Sequence, residues 1–109
     1  MDYREHHEDR CVVVEPKGRI DSSNAQIFTD TLKQAVEKAG TRVVVDLCEV
    51  AYITSAGFRS LLIAAKHAHK NDCSFRLCRV EGKIYQLFEL GGFFDLFEVD
   101  PDRRSAIDA

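Results

Sequence analysis

The stretch Arg42-Val-Val-Val-Asp-Leu-Cys-Glu-Val-Ala-Tyr-Ile-Thr-Ser-Ala-Gly-Phe58 decides how this chain folds, because its pattern changes from strand to helix. Its first part, Arg42–Leu47, is nearly continuously apolar and β-branched, which is typical of a strand buried on both faces of a parallel sheet. Its end opens a segment from Ser55 to Lys70 in which apolar residues recur at helical spacing. The stretch therefore predicts a central strand followed by a long helix.

The residues before this stretch predict two more strands and another helix. Cys11–Glu15 is a short β-branched strand, and Tyr3–His7 is expected to be an edge strand beside it. Ser23-Asn-Ala-Gln26 has the pattern of a capping box, in which the serine side chain caps the helix that follows. We expect that helix to run to Gly40, which ends it.

After the stretch, strands and helices continue to alternate. Ser74–Cys78 alternates as a strand, and the short helix behind it is ended by the Gly91-Gly92 pair. Phe97–Val99 predicts a last strand, and Asp100 followed by a proline predicts the N-cap of a final helix. The succession predicts one α/β domain over residues 1–109, with helices packed on a mostly parallel sheet.

Composition and charge argue against two classes of function. The chain has 15 Lys and Arg against 18 Asp and Glu, a net charge of −3, and we see no basic stripe for nucleic-acid phosphates. Its most apolar stretch, Leu61–Ala65, is far shorter than the roughly 20 residues of a membrane span, so we expect no membrane insertion. The charged first ten residues lack the apolar core of a secretory signal, and we expect a cytoplasmic protein.

The four cysteines do not predict a metal site. Cys11, Cys48, Cys73 and Cys78 form no C-x-x-C pair, and each lies in or beside an apolar run. Zinc needs paired ligands at short spacing, which the chain does not offer. We predict reduced thiols that pack as small hydrophobic groups, with no metal and no cofactor.

The segment Thr54-Ser-Ala-Gly57 is where function is expected, because it places two hydroxyls at the start of a helix. That terminus offers unpaired N–H groups and about half a positive charge. One interpretation makes Ser55 a structural N-cap. The other makes it a site of reversible phosphorylation, because the same field stabilises a phosphate. The residues alone leave both open.

A catalytic Ser55 is not expected. The nucleophile elbow of hydrolases needs a glycine two residues before the serine, and Ile53 stands there. The histidine His67 lies about 18 Å from Ser55 along the predicted helix, at ~1.5 Å per residue. We therefore predict that the protein is not an enzyme.

Three motifs in order, Gly18-Arg-Ile-Asp21, Val45-Asp-Leu47 and Ile53-Thr-Ser-Ala-Gly57, resemble the STAS domain (sulfate transporter and anti-sigma factor antagonist). The likeness covers nearly the whole chain and is specifically to the stand-alone bacterial anti-sigma factor antagonists. It implies a mixed, mostly parallel sheet of four to five strands packed by about four helices. No sustained heptad or long apolar patch indicates an obligate oligomer, and we expect a monomer or weak dimer.

The resemblance also implies a partner-switching mechanism. In such proteins the serine that matches Ser55 is phosphorylated by an anti-sigma factor that is itself a serine kinase. The unphosphorylated antagonist binds that kinase and frees the sigma factor, and a serine phosphatase resets the phosphorylated form. Many members have Asp before the serine, whereas this chain has Thr54, which is the second choice of acceptor.

Further residues are assigned to the switch by the same resemblance. Asp21 matches the family's aspartate beside the phosphoacceptor, although its alternative is a structural role at the start of the first helix. Partner-binding residues are expected at the start of the second helix. These are Thr54, Ala56, Gly57, Phe58 and Arg59.

Two other functions stay open. STAS domains also act as accessory subunits of membrane transporters, where they dock on an ATPase without phosphorylation. A sensor for a small ligand or nucleotide would use the helix start as an anion site, but no Gly-rich phosphate loop is present.

Overall fold

The computed structural model describes residues 1–109 and contains seven strands and four helices. In chain order they are β1 (Tyr3–Glu8), β2 (Cys11–Pro16), β3 (Gly18–Ile20), α1 (Ala25–Ala39), β4 (Arg42–Asp46), β5 (Val50–Ile53), α2 (Ser55–Lys70), β6 (Ser74–Cys78), α3 (Gly82–Gly91), β7 (Glu98–Asp100) and α4 (Arg103–Asp108). A single 3-10 turn, Phe93–Asp95, separates α3 from β7. None of the four helices combines the length and the apolar character that a membrane span requires.

The main sheet has five strands in the order β1-β2-β4-β6-β7. β1 pairs antiparallel with β2, and every other pairing in this sheet is parallel. The predicted α/β architecture, with a mixed and mostly parallel sheet, is confirmed.

A second sheet was not predicted. β3 and β5 form a separate parallel pair that stands apart from the main sheet. Gly18 opens β3 with a φ of 79°, a left-handed conformation that glycine adopts without strain. The two strands have three and four residues, and runs this short do not show the alternation of apolar and polar residues that identifies a strand.

The main hydrophobic core lies between one face of the large sheet and the helices α1, α2 and α3. Val12, Val14, Val43 and Val45 point into it and are almost completely buried. The intervening side chains point to the other face, where a smaller cluster packs under α4. That cluster contains Cys11, Val13, Val44, Cys78 and Ala106. Both faces of β2 and β4 are thus covered, which confirms the prediction made for Arg42–Leu47 and shows the same burial for β2.

All four cysteines are free thiols, as predicted. Cys11, Cys73 and Cys78 are buried, whereas Cys48 is half-buried. Burial raises the pKa of each of the three buried thiols, that of Cys78 to about 12. These cysteines are therefore packing groups.

The predicted capping box at Ser23 is wrong. The N-cap of α1 is Asn24, and it makes no side-chain cap bond. Its side chain instead braces the preceding turn, accepting a bond from the Asp21 N–H and donating one to the Arg19 carbonyl, both at 2.9 Å. The Ser23 hydroxyl donates a hydrogen bond to the Asp21 carboxylate. Competing local hydrogen bonds have displaced the box.

The predicted cap of the last helix is shifted by two residues. Asp102 is the N-cap of α4, and its carboxylate accepts the Ser105 N–H at 2.8 Å. Asp100 is the last residue of β7 and pairs with Arg76 at 2.6 Å. The Asp100 carboxylate is engaged in this cross-strand ion pair, and Asp102 caps α4 in its place.

Candidate functional site

The small β3–β5 sheet brings the two loops of the candidate site together. Ile20 lies opposite Ile53 in the parallel register, and the Thr54 N–H donates to the Ile20 carbonyl at 3.0 Å. Asp21 follows the end of β3 directly, and Ser55 follows the end of β5 after Thr54. The structure therefore places the Asp21 loop beside the Ser55 helix start.

Ser55 is the first residue of α2, and its side chain is exposed. The N-cap is Thr54, in an extended conformation, and no side chain caps this helix. The interpretation of Ser55 as a structural cap is therefore wrong. The half-buried Thr54 hydroxyl lies 3.4 Å from the Ile20 carbonyl and is less accessible than that of Ser55. Of the two candidate acceptors, Ser55 is the more accessible to another protein.

Gly57 allows the start of α2 to lie directly against the small sheet. A Cβ atom at this position would lie 2.5 Å from the Ile53 side chain and 2.8 Å from that of Ile20. Such distances are shorter than real van der Waals contacts, so any side chain would push the helix start outward. Gly57 thus fixes the height of Ser55 above β3 and β5.

Phe58 supports the same helix start from the core. Its ring stacks on Phe93 with centroids 3.9 Å apart and meets Phe88 edge-on at 5.1 Å. Both Phe58 and Gly57 are buried in the isolated chain, and their expected contact with a partner stays a prediction. They position the surface that Ser55, Ala56 and Arg59 present.

A groove of about 730 Å³ runs between the starts of α1 and α2, and Ser55 lies on its wall. We call it the Ser55 groove. Its lining residues are Ser22, Ala25, Gln26, Thr29, Ser55, Ala56, Arg59, Ser60 and Ile63. They are mostly small or polar, and Arg59 is the one charged side chain among them.

Two buried hydroxyls join the helices beneath this groove. The Thr29 and Ser60 hydroxyl oxygens lie 2.7 Å apart, and each is 2.9 Å from the Ala25 carbonyl oxygen. Both side chains are nearly inaccessible to solvent. The pair locks α1 against α2, so the groove is preformed.

The Asp21 carboxylate is held in place by its own loop. One oxygen accepts the Ser23 N–H at 2.9 Å and the Ser23 hydroxyl, and Arg19 approaches the other at 3.8 Å. Hydrogen bonds from Ser23, and then the charge of Arg19, lower the pKa of Asp21. The side chain stays about one-third exposed. Asp21 therefore has a structural task, and its loop holds the negative charge in a fixed position.

Sequence reasoning missed a pair of cations next to this loop. The Arg19 guanidinium lies 4.7 Å and the Lys83 ammonium 5.4 Å from the centre of the Tyr52 ring. Such cation–π contacts hold both side chains against the small sheet. The one feature of the sequence that could have pointed to Arg19 is its place within the Gly18–Asp21 motif.

A buried ion network was also missed. Asp46 at the end of β4 is completely buried and accepts bonds from Arg79 at 2.8 Å and Arg103 at 2.9 Å. Glu15 at the end of β2 is 2.8 Å from Arg103 and 3.5 Å from Arg79. Burial opposes ionisation of Asp46, but bonds from Arg79, the Cys48 N–H and Arg103 outweigh it, and the pKa of Asp46 is lowered.

Glu15, Asp46 and Cys48 bring their ligand atoms within 4.8 Å of one another, the one such grouping that could suit a metal ion. Both carboxylates are already bound by the two arginines, which a cation would have to displace. Burial and the Asp46 charge raise the pKa of the Cys48 thiol to about 12, whereas metal binding needs the thiolate. These residues fit an ion-pair network and not a metal site.

Comparison with known proteins gives one family. The STAS domain family model matches residues 3–106. The chain is 34% identical over 90 residues to BtrV of Bordetella bronchiseptica, which is named an anti-sigma factor antagonist. The match covers 83% of this chain and 78% of that protein.

Solved structures share the fold at lower identity. An anti-sigma factor antagonist from Mycobacterium paratuberculosis superposes with a TM-score of 0.85 at 20% identity, covering 98% of this chain and 91% of that one. The Bacillus cell-fate determinant SpoIIAA in its phosphorylated form gives 0.71 at 15% identity, covering 98% and 97%.

The same fold occurs inside a membrane transporter. Murine Slc26a9, an anion transporter, matches with a TM-score of 0.78 at 16% identity. That match covers 94% of this chain and 18% of the transporter.

Proposed function

This chain belongs to the STAS domain family, and on that premise we propose that it is an anti-sigma factor antagonist. The support in sequence is the likeness to BtrV along most of both chains. The support in structure is that the small sheet holds an accessible serine, at the start of α2, next to the loop that carries Asp21. The protein would act by binding an anti-sigma factor, so that the sigma factor is released.

The finer mechanism is a phosphorylation switch at Ser55. The unphosphorylated protein binds an anti-sigma factor that is a serine kinase, phosphorylation of Ser55 ends the binding, and a serine phosphatase restores it. The single observation that carries this proposal is the position of Ser55. It is exposed, first in its helix, free of any capping task and on the wall of a preformed groove.

The phosphate would weaken binding without unfolding the domain. A phosphoserine adds about −1.5 to −2 charges, which would change the net charge from −3 to about −5. The helix N-terminus and Arg59, one turn further along, stabilise that charge in the free protein. Inside an interface the same charge must be desolvated, at a cost of several kcal/mol, which is about a hundredfold or more in affinity.

Incubation with the cognate kinase and ATP, followed by intact-mass measurement and site mapping, tests the proposal. We expect one phosphate, on Ser55. The Ser55→Ala variant should take up none, whereas Thr54→Ala, the matched control, should be phosphorylated as the parent is. Phosphate on Thr54 would move the acceptor by one position, and phosphate on neither would refute the switch.

A second candidate function is an accessory domain of a transporter. The observation that favours it is the fold likeness to Slc26a9 over almost the whole chain. In that case the Ser55 groove would dock a transporter component and need no phosphorylation. Purification with native partners separates the two, because it would recover an anti-sigma factor in one case and a transporter ATPase in the other.

A further inference from the structure

The outer face of α2 is basic in a chain that is acidic overall. This 16-residue helix contains Arg59, Lys66 and Lys70 and has no aspartate or glutamate. Lys33 of α1 lies beside them, in the same surface depression as Lys66 and Lys70. We call these four residues, Lys33, Arg59, Lys66 and Lys70, the basic tract.

The cations of the basic tract are not neutralised within the chain. None of the four is within 4.0 Å of a carboxylate oxygen, whereas the neighbouring Lys38 pairs with Glu5 at 2.8 Å. The nearby acid, Glu37, is directed to His67, at 3.6 Å. Four unpaired positive charges on one face leave a local potential that attracts negative groups.

The basic tract continues directly from the Ser55 groove. A smaller depression of about 230 Å³, lined by Lys33, Ile63, Lys66, His67 and Lys70, shares Ile63 with that groove. From Ser55 to Lys66 the helix extends about 16 Å, at 1.5 Å per residue. The two depressions together form one elongated surface with a small, polar end, an apolar centre at Ile63 and a basic end.

We propose that the basic tract binds an acidic segment of the same protein partner that docks on the Ser55 groove. The inference rests on the proposed function for the partner's identity and on charge complementarity for its chemistry. An acidic protein segment fits better than nucleic acid or a lipid surface. The apolar Ile63 lies in the middle of the surface, and the net charge of −3 would repel an extended polyanion elsewhere.

The position of the basic tract also links it to the switch. Ser55 and Arg59 are one helical turn apart, so a phosphate on Ser55 would pair with Arg59 and lower the positive potential at that end. The phosphate would therefore act twice, by its charge in the groove and by competing with the acidic segment for Arg59.

A charge-reversal experiment with the anti-sigma factor partner tests the proposal. Lys66→Glu/Lys70→Glu should slow association at least tenfold and flatten its dependence on salt, because steering by the basic tract is lost. Lys66→Gln/Lys70→Gln should give a smaller change in the same direction. The matched control, Arg10→Glu/Lys17→Glu, makes the same charge change away from the basic tract and should stay within twofold of the parent. Circular dichroism checks that each variant is folded.

A second arm does not depend on the proposed function. The probe is a 15-residue peptide rich in glutamate and leucine, added to the ¹⁵N-labelled protein. Amide shifts should cluster at Lys33, Ile63, Lys66 and Lys70 and vanish in Lys66→Glu/Lys70→Glu. The same peptide with lysine for glutamate, a single-stranded oligonucleotide and vesicles with anionic lipid are the comparisons.

The outcomes separate the two ideas. Normal partner binding by the reversed variant, or peptide shifts away from the basic tract, would overturn the basic-tract proposal and leave the antagonist function intact. Tighter binding of the oligonucleotide or the vesicles would show that the assigned occupant is wrong. If the parent protein binds no anti-sigma factor, the proposed function fails. The peptide experiment alone then tests whether the basic tract binds an acidic segment.

Discussion

Two polar regions lie at the carboxyl ends of parallel strands, and they differ in how many of their polar side chains are paired within the chain. At the ends of β2 and β4, Glu15 and Asp46 are buried and fully paired with arginines. At the ends of β3 and β5, the Ser55 side chain is exposed and caps nothing, and Arg59 has no ion-pair partner. Paired polar groups define the fold, whereas uncommitted ones are available to another molecule.

The largest effect is expected from breaking the buried region. Asp46→Asn removes the charge that Arg79 and Arg103 share, and both arginines would then lack their main partner. Because the two arginines are about one-third exposed, we expect the lower end of the usual cost, about 3 kcal/mol of unfolding free energy. Urea unfolding measures it. Asp30→Asn, an exposed control, should change stability by less than about 0.5 kcal/mol, and an equally small loss in Asp46→Asn would contradict the comparison.

The pH dependence of stability sharpens the same difference. The pKa of Asp46 is lowered in the folded protein, so its contribution is fully present above the unfolded value of about 3.9. The contribution is lost as pH falls through the folded value. The parent should therefore lose stability on acidification more steeply than Asp46→Asn. Melting temperatures that fall equally with decreasing pH in the two proteins would show that the network does not favour the charged form of Asp46.

Gly57→Ala tests the support under the exposed region. Its Cβ would overlap the Ile53 and Ile20 side chains, and we expect a loss of about 1–3 kcal/mol as the start of α2 moves outward. Binding of the anti-sigma factor should fall as well, because Ser55 moves with the helix. Ala56→Ser, at the neighbouring position, serves as the control for stability only, because Ala56 itself lies in the Ser55 groove. Unchanged stability and affinity in Gly57→Ala would show that the close approach is not required.

Ser55→Asp separates function from stability. The helix N-terminus favours the added charge, so the unfolding midpoint should hold. Affinity for the anti-sigma factor should fall about tenfold, or about 1.4 kcal/mol, which is less than for a phosphate because the charge is smaller. Isothermal calorimetry and a melting curve on the same sample provide both values. A weaker partner affinity with Thr54→Asp instead of Ser55→Asp would identify Thr54 as the acceptor.

The smallest change in stability is expected for Asp21→Asn, which keeps the shape of the side chain and removes its charge. The amide still accepts the Ser23 N–H, so the loop should hold. The rate of Ser55 phosphorylation by the cognate kinase should change several-fold, because the neighbouring loop has lost its negative charge. A rate and an affinity equal to the parent's would make Asp21 a structural residue only.

The sequence predicted those features whose signal is local. The valine run around Val44 predicted a buried strand, the run around Val13 predicted a strand, and the change of periodicity at Ser55 predicted the helix start. The prediction of a capping box at Ser23 was wrong because Asp21 and Asn24 make competing hydrogen bonds in the same turn.

The buried network could not be predicted in this way. Asp46 and Arg103 are 57 residues apart in the chain, and only the folded topology brings them together. The same holds for the β3–β5 pair. Its strands are too short to show a period, yet their pairing sets the Asp21 loop beside Ser55.

The most direct test of the central claim is the affinity of the anti-sigma factor for the protein carrying phosphoserine at position 55, compared with the unmodified protein. We predict a loss of a hundredfold or more in affinity, with no loss in thermal stability. Equal affinity of the two forms, measured on folded samples, would contradict the claim that the uncommitted serine is the switch.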